Sequence, residues 1–145
     1  GCELLAFVYM PDHVHLLVRP PCFGIEVERL AQQIGRPFAQ RVRRTLEETD
    51  STPLLGRLTQ RRGNGRPTFR FWQPGPPDNV ALASRGAVLR AMARLHNNPV
   101  RRGLCLSPAE WRWSSWCALH GGEMFRDSAL PRVVRLRRES AGGER

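Results

Sequence analysis

Leu4-Leu5-Ala6-Phe7-Val8-Tyr9-Met10-Pro11-Asp12-His13-Val14-His15-Leu16-Leu17-Val18 is the stretch on which the fold turns. Leu4 to Tyr9 is a short apolar and aromatic run, and Met10-Pro11-Asp12 interrupts it. His13 to Val18 then alternates into a second β-like run, closed by Arg19-Pro20-Pro21. Two such runs separated by a proline turn predict neighbouring strands. Residues i and i+2 of a strand share a face about 6 to 7 Å apart, so His13 and His15 can offer two imidazoles to one cation while Val14 packs inward. A lone His-x-His is more often a surface or hydrogen-bonded pair, so the rest of the chain has to decide its meaning.

Outward from that hairpin, Ile25, Leu30, Ile34, Phe38 and Val42 recur at near-helical spacing with charged residues between them, predicting an amphipathic helix bent at Gly35 and Pro37. Glu47 to Thr68 is rich in Ser, Thr, Gly, Pro and Arg and is expected to be a long mobile basic insert, about 47–68. Phe69 to Gln73 reads as a strand. Ser84 can cap a helix from Arg85 to about Asn97 with Val88, Leu89, Met92 and Leu95 as its stripe, and Pro99 ends it. Ser107-Pro108-Ala109-Glu110 has the form of a capping box that opens a short helix toward Trp111, Trp113 and Trp116.

The 145 residues suit one domain, and no repeat is evident. One domain over 1–120 followed by an irregular basic tail over 121–145 is the expected organisation. No apolar run is long enough for a membrane span and no signal core is visible, so a cytoplasmic protein without a membrane partner is expected. Cys2, Cys22, Cys105 and Cys117 form no C-x-x-C pair and read as free thiols.

All 23 basic residues are arginine, for a net charge of +10. The first fifty residues hold six Arg against seven acids and the remainder 17 against six, an asymmetry that fits a polyanion partner. Arg57, Arg61, Arg62, Arg66 and Arg70 fall in an acid-free stretch, either a solvated loop or a phosphate-contacting one.

Three segments, in order, resemble a known family. Ala6 to Val18 is similar to the signature strand of the IS200-like transposases, single-tyrosine members of the HUH endonucleases. Phe71-Trp72-Gln73-Pro74-Gly75 resembles a segment of their REP-associated branch. Leu95-His96-Asn97-Asn98-Pro99-Val100-Arg101-Arg102-Gly103-Leu104, followed by Trp111-Arg112-Trp113-Ser114-Ser115, resembles that branch's carboxy-terminal signature.

The resemblance implies an α+β protein with a ferredoxin-like antiparallel sheet and helices packed on one face, acting on single-stranded or hairpin (REP-type) DNA with Mg or Mn. It implies His13 and His15 as metal ligands, and Asn98 as a third ligand unless that residue only caps its helix. In the family a helix-borne tyrosine attacks the scissile phosphate. Its position, five residues before the proline of Asn-Pro-Val, holds Arg94 here.

A guanidinium keeps its proton and is a poor nucleophile, yet it grips phosphate through paired hydrogen bonds. Arg94 therefore implies a DNA-binding protein deficient in cleavage, whether repurposed or decayed. The rival readings are a metal-dependent nuclease using water and a remnant without function. Tyr9, the one tyrosine, is expected in the core. Arg101, Arg102 and Trp72 join the basic residues as DNA contacts, and the three later tryptophans are assigned to the core. Family members begin with a strand and helix before the His-x-His strand, so an N-terminally truncated fold with an exposed sheet edge is expected, as monomer or homodimer.

Overall fold

The structure, a computed structural model, describes residues 2–20, 27–61, 63, 65–121 and 127–136. It is a small α+β protein divided into two compact units, one formed by Gly1–Phe23 with Ala81–Arg145 and the other by Gly24–Val80.

In the first unit, β1 (Glu3–Tyr9) pairs antiparallel with β2 (Val14–Arg19), with Phe7 opposite Leu16 and Val8 opposite His15. Leu5, Ala6, Phe7 and Val8 are all buried, so the middle of β1 has no solvent face. That agrees with its unbroken apolar run, because only a strand covered on both sides lacks alternation. Its far edge is covered as well. Tyr9 N–H donates to Trp113 O (2.8 Å), Ser115 N–H to Phe7 O (3.0 Å), and Val134 N–H to Leu4 O (2.8 Å). The segment around Ser114 thus continues the sheet as a bridge opposite Val8. The carboxy-terminal stretch 127–136 is irregular, as expected, but it is tied down through Val134 and through an ion pair from Arg112 to Asp127 (2.8 Å). Among the described residues no strand pairs with the outer edge of β2, where Leu16 is exposed.

Helix α3 (Arg85–His96) lies against β1, placing Leu95 and Met92 on Ala6, Val8 and Met10. Ser84 caps it by accepting from Ala87 N–H (3.2 Å). Leu89, assigned to its apolar stripe, is exposed instead. Asn97 stays in the helical region, so the chain passes almost directly into α4 (Asn98–Arg101), with Pro99 at its start. The predicted helix after Ser107 is only a 3₁₀ turn (Pro108–Glu110), and a separate α5 follows (Trp116–His120). Its expected tryptophan core is reduced. Trp111 packs on the core and donates to Tyr9 O (2.9 Å), whereas Trp113 is exposed under the Arg112 guanidinium and Trp116 stacks on His120.

The centre of this unit is polar. Ser115 is fully buried, and its Oγ accepts from Phe7 N–H (2.9 Å) and meets His96 Nε2 (2.9 Å). Burial, and then the charge of His120, pushes His96 down to about 4. An unfolded histidine titrates near 6.5, so between about pH 4 and 6.5 the unfolded chain binds a proton that the native chain refuses. The contribution is complete above that window and is lost as pH falls through it. Allowing for solvent screening, about 2 kcal/mol of stability should disappear between about pH 7 and pH 4. Urea midpoints measured across that range in the wild type and in His96→Gln check this: the drop attributable to His96 should be missing from the variant.

The second unit contains α1 (Val27–Glu48), α2 (Thr52–Leu58) and a hairpin of β3 (Thr59–Arg61) and β4 (Pro67–Phe69). The expected mobile insert at 47–68 is therefore corrected for its described part. Ion pairs Arg43–Glu47 (2.8 Å) and Arg44–Glu48 (2.7 Å) carry α1 to Glu48 before Asp50 turns the chain at φ 50°. Pro53 then opens α2, and Gly65 at φ 76° serves the hairpin. The predicted strand at Phe69–Gln73 is displaced to Pro67–Phe69, because Phe71 and Trp72 leave it to pack on Phe38, at 5.4 and 5.6 Å between ring centroids. Trp72 Nε1 donates to Gly35 O (2.9 Å), and a Cβ on Gly35 would stand 3.2 Å from that nitrogen. The glycine read as a helix bend thus seats an indole.

Cys2, Cys105 and Cys117 are free thiols, and Cys22 lies outside the described residues. No described helix is long and apolar enough to cross a membrane.

Candidate metal and phosphate site

The turn between β1 and β2 and the start of α4 carry the residues that come together. His13 Nε2 lies 3.1 Å from His15 Nε2 and 3.2 Å from Asn98 Nδ2. The backbone explains the meeting. Met10 N–H donates to His13 O (2.8 Å), closing the turn that aims His13 alongside His15, and the buried Pro99 fixes Asn98 at the other side.

Behind the pair stands Asp12, which sequence reasoning passed over. Its Oδ1 is 2.6 Å from His13 Nδ1, so the imidazole carries its proton on Nδ1 and leaves Nε2 with a free lone pair. The hydrogen bond to His13 holds the Asp12 carboxyl below its ordinary range, and the nearby Arg102 adds a weaker pull in the same direction. An aspartate directly before a His-x-His strand is the signal that would have found it. Burial, reinforced by His13, lowers His15 from its ordinary value.

With the Asn98 amide as oriented, its N–H and a His15 N–H compete for the one lone pair of His13. Turned by half a revolution, the amide occupies the same volume and presents its oxygen, and with His15 carrying its proton on Nδ1 instead, three lone-pair donors face one region. The donor set fits a divalent cation, with His13, His15 and Asn98 as holders and Asp12 orienting the first of them. A divalent ion held there would act as a Lewis acid, stabilising negative charge that develops on a coordinated oxygen. Among the described residues no three His, Cys, Asp or Glu side chains form a group suited to a metal, so Asn98 is needed as the third donor.

Of the basic residues singled out in the sequence, Arg102 reaches Asp12 (3.7 Å), while Arg94 and Arg101 are exposed on α3 and α4. Arg57, Arg61, Arg66 and Arg70, with Trp72, belong to the other unit, on α2 and the β3–β4 hairpin and just after it. Arg62 lies outside the described residues. Tyr9 is half-buried and burial raises its phenol, which is opposite to what a nucleophile requires.

No family model, no curated protein and no solved structure matches this chain.

Proposed function

We propose that this is a single-strand or hairpin DNA-binding protein derived from the IS200-like transposases, with a Mg or Mn site at His13, His15 and Asn98 and without a cleaving tyrosine. Its short sheet is read as the residue of a ferredoxin-like fold, and a cytoplasmic setting goes with this reading. The observation that carries it is the approach of Asn98 to within 3.2 Å of His13 Nε2, across 85 residues of chain. The family resemblance implies the same three residues. Arg94, exposed one helical turn before Asn98, supplies phosphate affinity where the family has a nucleophile.

Fluorescence anisotropy with a labelled DNA hairpin, with and without Mn, tests the reading. Affinity should fall with salt on a log-log slope of about 0.7 for each phosphate contact, and His13→Ala should abolish any gain from Mn. Salt-independent or absent binding would remove the proposal. Nicks that depend on His13 but leave no protein on the DNA would replace it with the hydrolytic reading.

A further inference from the structure

Residues 79–109 contain no Asp or Glu but five arginines, Arg85, Arg90, Arg94, Arg101 and Arg102. This sets α3 and α4 apart from α1, where Arg43 and Arg44 are satisfied by acids one turn away. The α3 sequence itself carries no acidic residue.

The placement of these residues is more specific than their number. Gly86, Arg90, Arg94 and Asn98 follow one another at intervals of four, so they form a single inclined row, and Asn97 in the helical region carries that row from α3 into α4. Each step is about 6 Å along the axis, a spacing that an unstacked, extended DNA strand can follow from phosphate to phosphate. A Cβ on Gly86 would stand 3.2 Å from Arg90 Nη1, so the Arg90 guanidinium lies back over the glycine, along the row. Arg90 and Arg94 are both exposed, and the row ends at Asn98, 3.2 Å from His13 Nε2.

We infer that this row is a phosphate track: Arg90 and Arg94 hold two successive phosphates of a single DNA strand and lead the next one to the His13, His15 and Asn98 cluster. The inference rests on the DNA-binding reading above and adds to it a path, a register and one residue, Arg90, that the family resemblance does not mark. It also gives Arg94 a place in a row in addition to the place where a tyrosine is missing.

The test is binding of a labelled oligonucleotide as a function of salt, using the full chain. Arg90→Ala should lower the log-log slope by about 0.7 and weaken binding about fivefold, while Arg90→Lys keeps the slope and Arg44→Ala, on the acid-paired helix, changes neither. A single uncharged methylphosphonate linkage is then walked along the strand. One linkage should stop mattering in Arg90→Ala and the adjacent linkage in Arg94→Ala. Wild-type binding with a salt slope that survives Arg90→Ala, or two linkages that are not neighbours, would overturn the track and leave the DNA-binding reading in place. Wild-type protein with no salt-dependent binding would end both.

Discussion

On the function proposed above, Arg94→Tyr should become covalently attached to hairpin DNA, seen in Mn as a labelled band surviving denaturing electrophoresis, and the unchanged chain should give no such band. The argument begins with position. Arg94 is exposed on the last turn of α3, and Asn98, one turn onward, reaches the His13 and His15 pair. A phenol at this site can lose its proton and attack phosphorus. The bond from phosphorus to the leaving 3′ oxygen then breaks, and a 3′-hydroxyl and a 5′-phosphotyrosine remain. The guanidinium it replaces keeps its proton throughout. The exchange itself is mild for the fold, since an exposed helical Arg→Tyr costs only a few tenths of a kcal/mol. His13→Ala added to Arg94→Tyr should erase the band. A folded Arg94→Tyr protein that binds Mn and DNA but forms no adduct would show that more than the nucleophile is missing.

The second large effect concerns stability. Ser115→Ala should lower stability by about 3 kcal/mol and the thermal midpoint by about 10 °C, because one deletion strands two buried groups. Phe7 N–H loses its acceptor and His96 Nε2 loses the hydroxyl it meets, both in the packed centre of the first unit. Ser114→Ala provides the comparison. Ser114 is also buried, but its hydroxyl pairs with Trp111 O and Trp116 N–H at the rim of the segment. A thermal melt in which the two variants differ by less than about 2 °C would contradict the central role given to Ser115.

Much of this was legible in the residues. The unbroken Leu5 to Val8 run and the alternation after Asp12 pointed to a hairpin, Ser84 and Pro99 bracketed α3, and the resemblance pointed to His13, His15 and, unless it only caps its helix, Asn98, which the fold brings close together. The 47–68 stretch was misread because its Ser, Thr, Pro and Gly serve as starts and turns of elements too short to show a period. Asp12 and Ser115 escaped for a different reason. Each acts through a histidine, Asp12 through its neighbour and Ser115 through one 19 residues away. Composition and spacing carry no trace of such a pairing until the chain has closed. The tryptophans show the limit of a type-based rule, since three look alike in the sequence and only Trp111 reaches the core.

The clasp between β1 and the segment around Ser114 also sets a timetable for synthesis. Leu5 to Val8 emerge well before the segment that covers their far edge, which lies more than a hundred residues later in the chain. At about 5 to 20 residues per second, an apolar strand waits roughly 5 to 20 s for its partner, while Gly24–Val80 can assemble from contacts of its own. A nascent chain arrested before Trp113 should therefore carry one finished unit and one adhesive strand, a substrate for chaperones until the last quarter of the chain arrives.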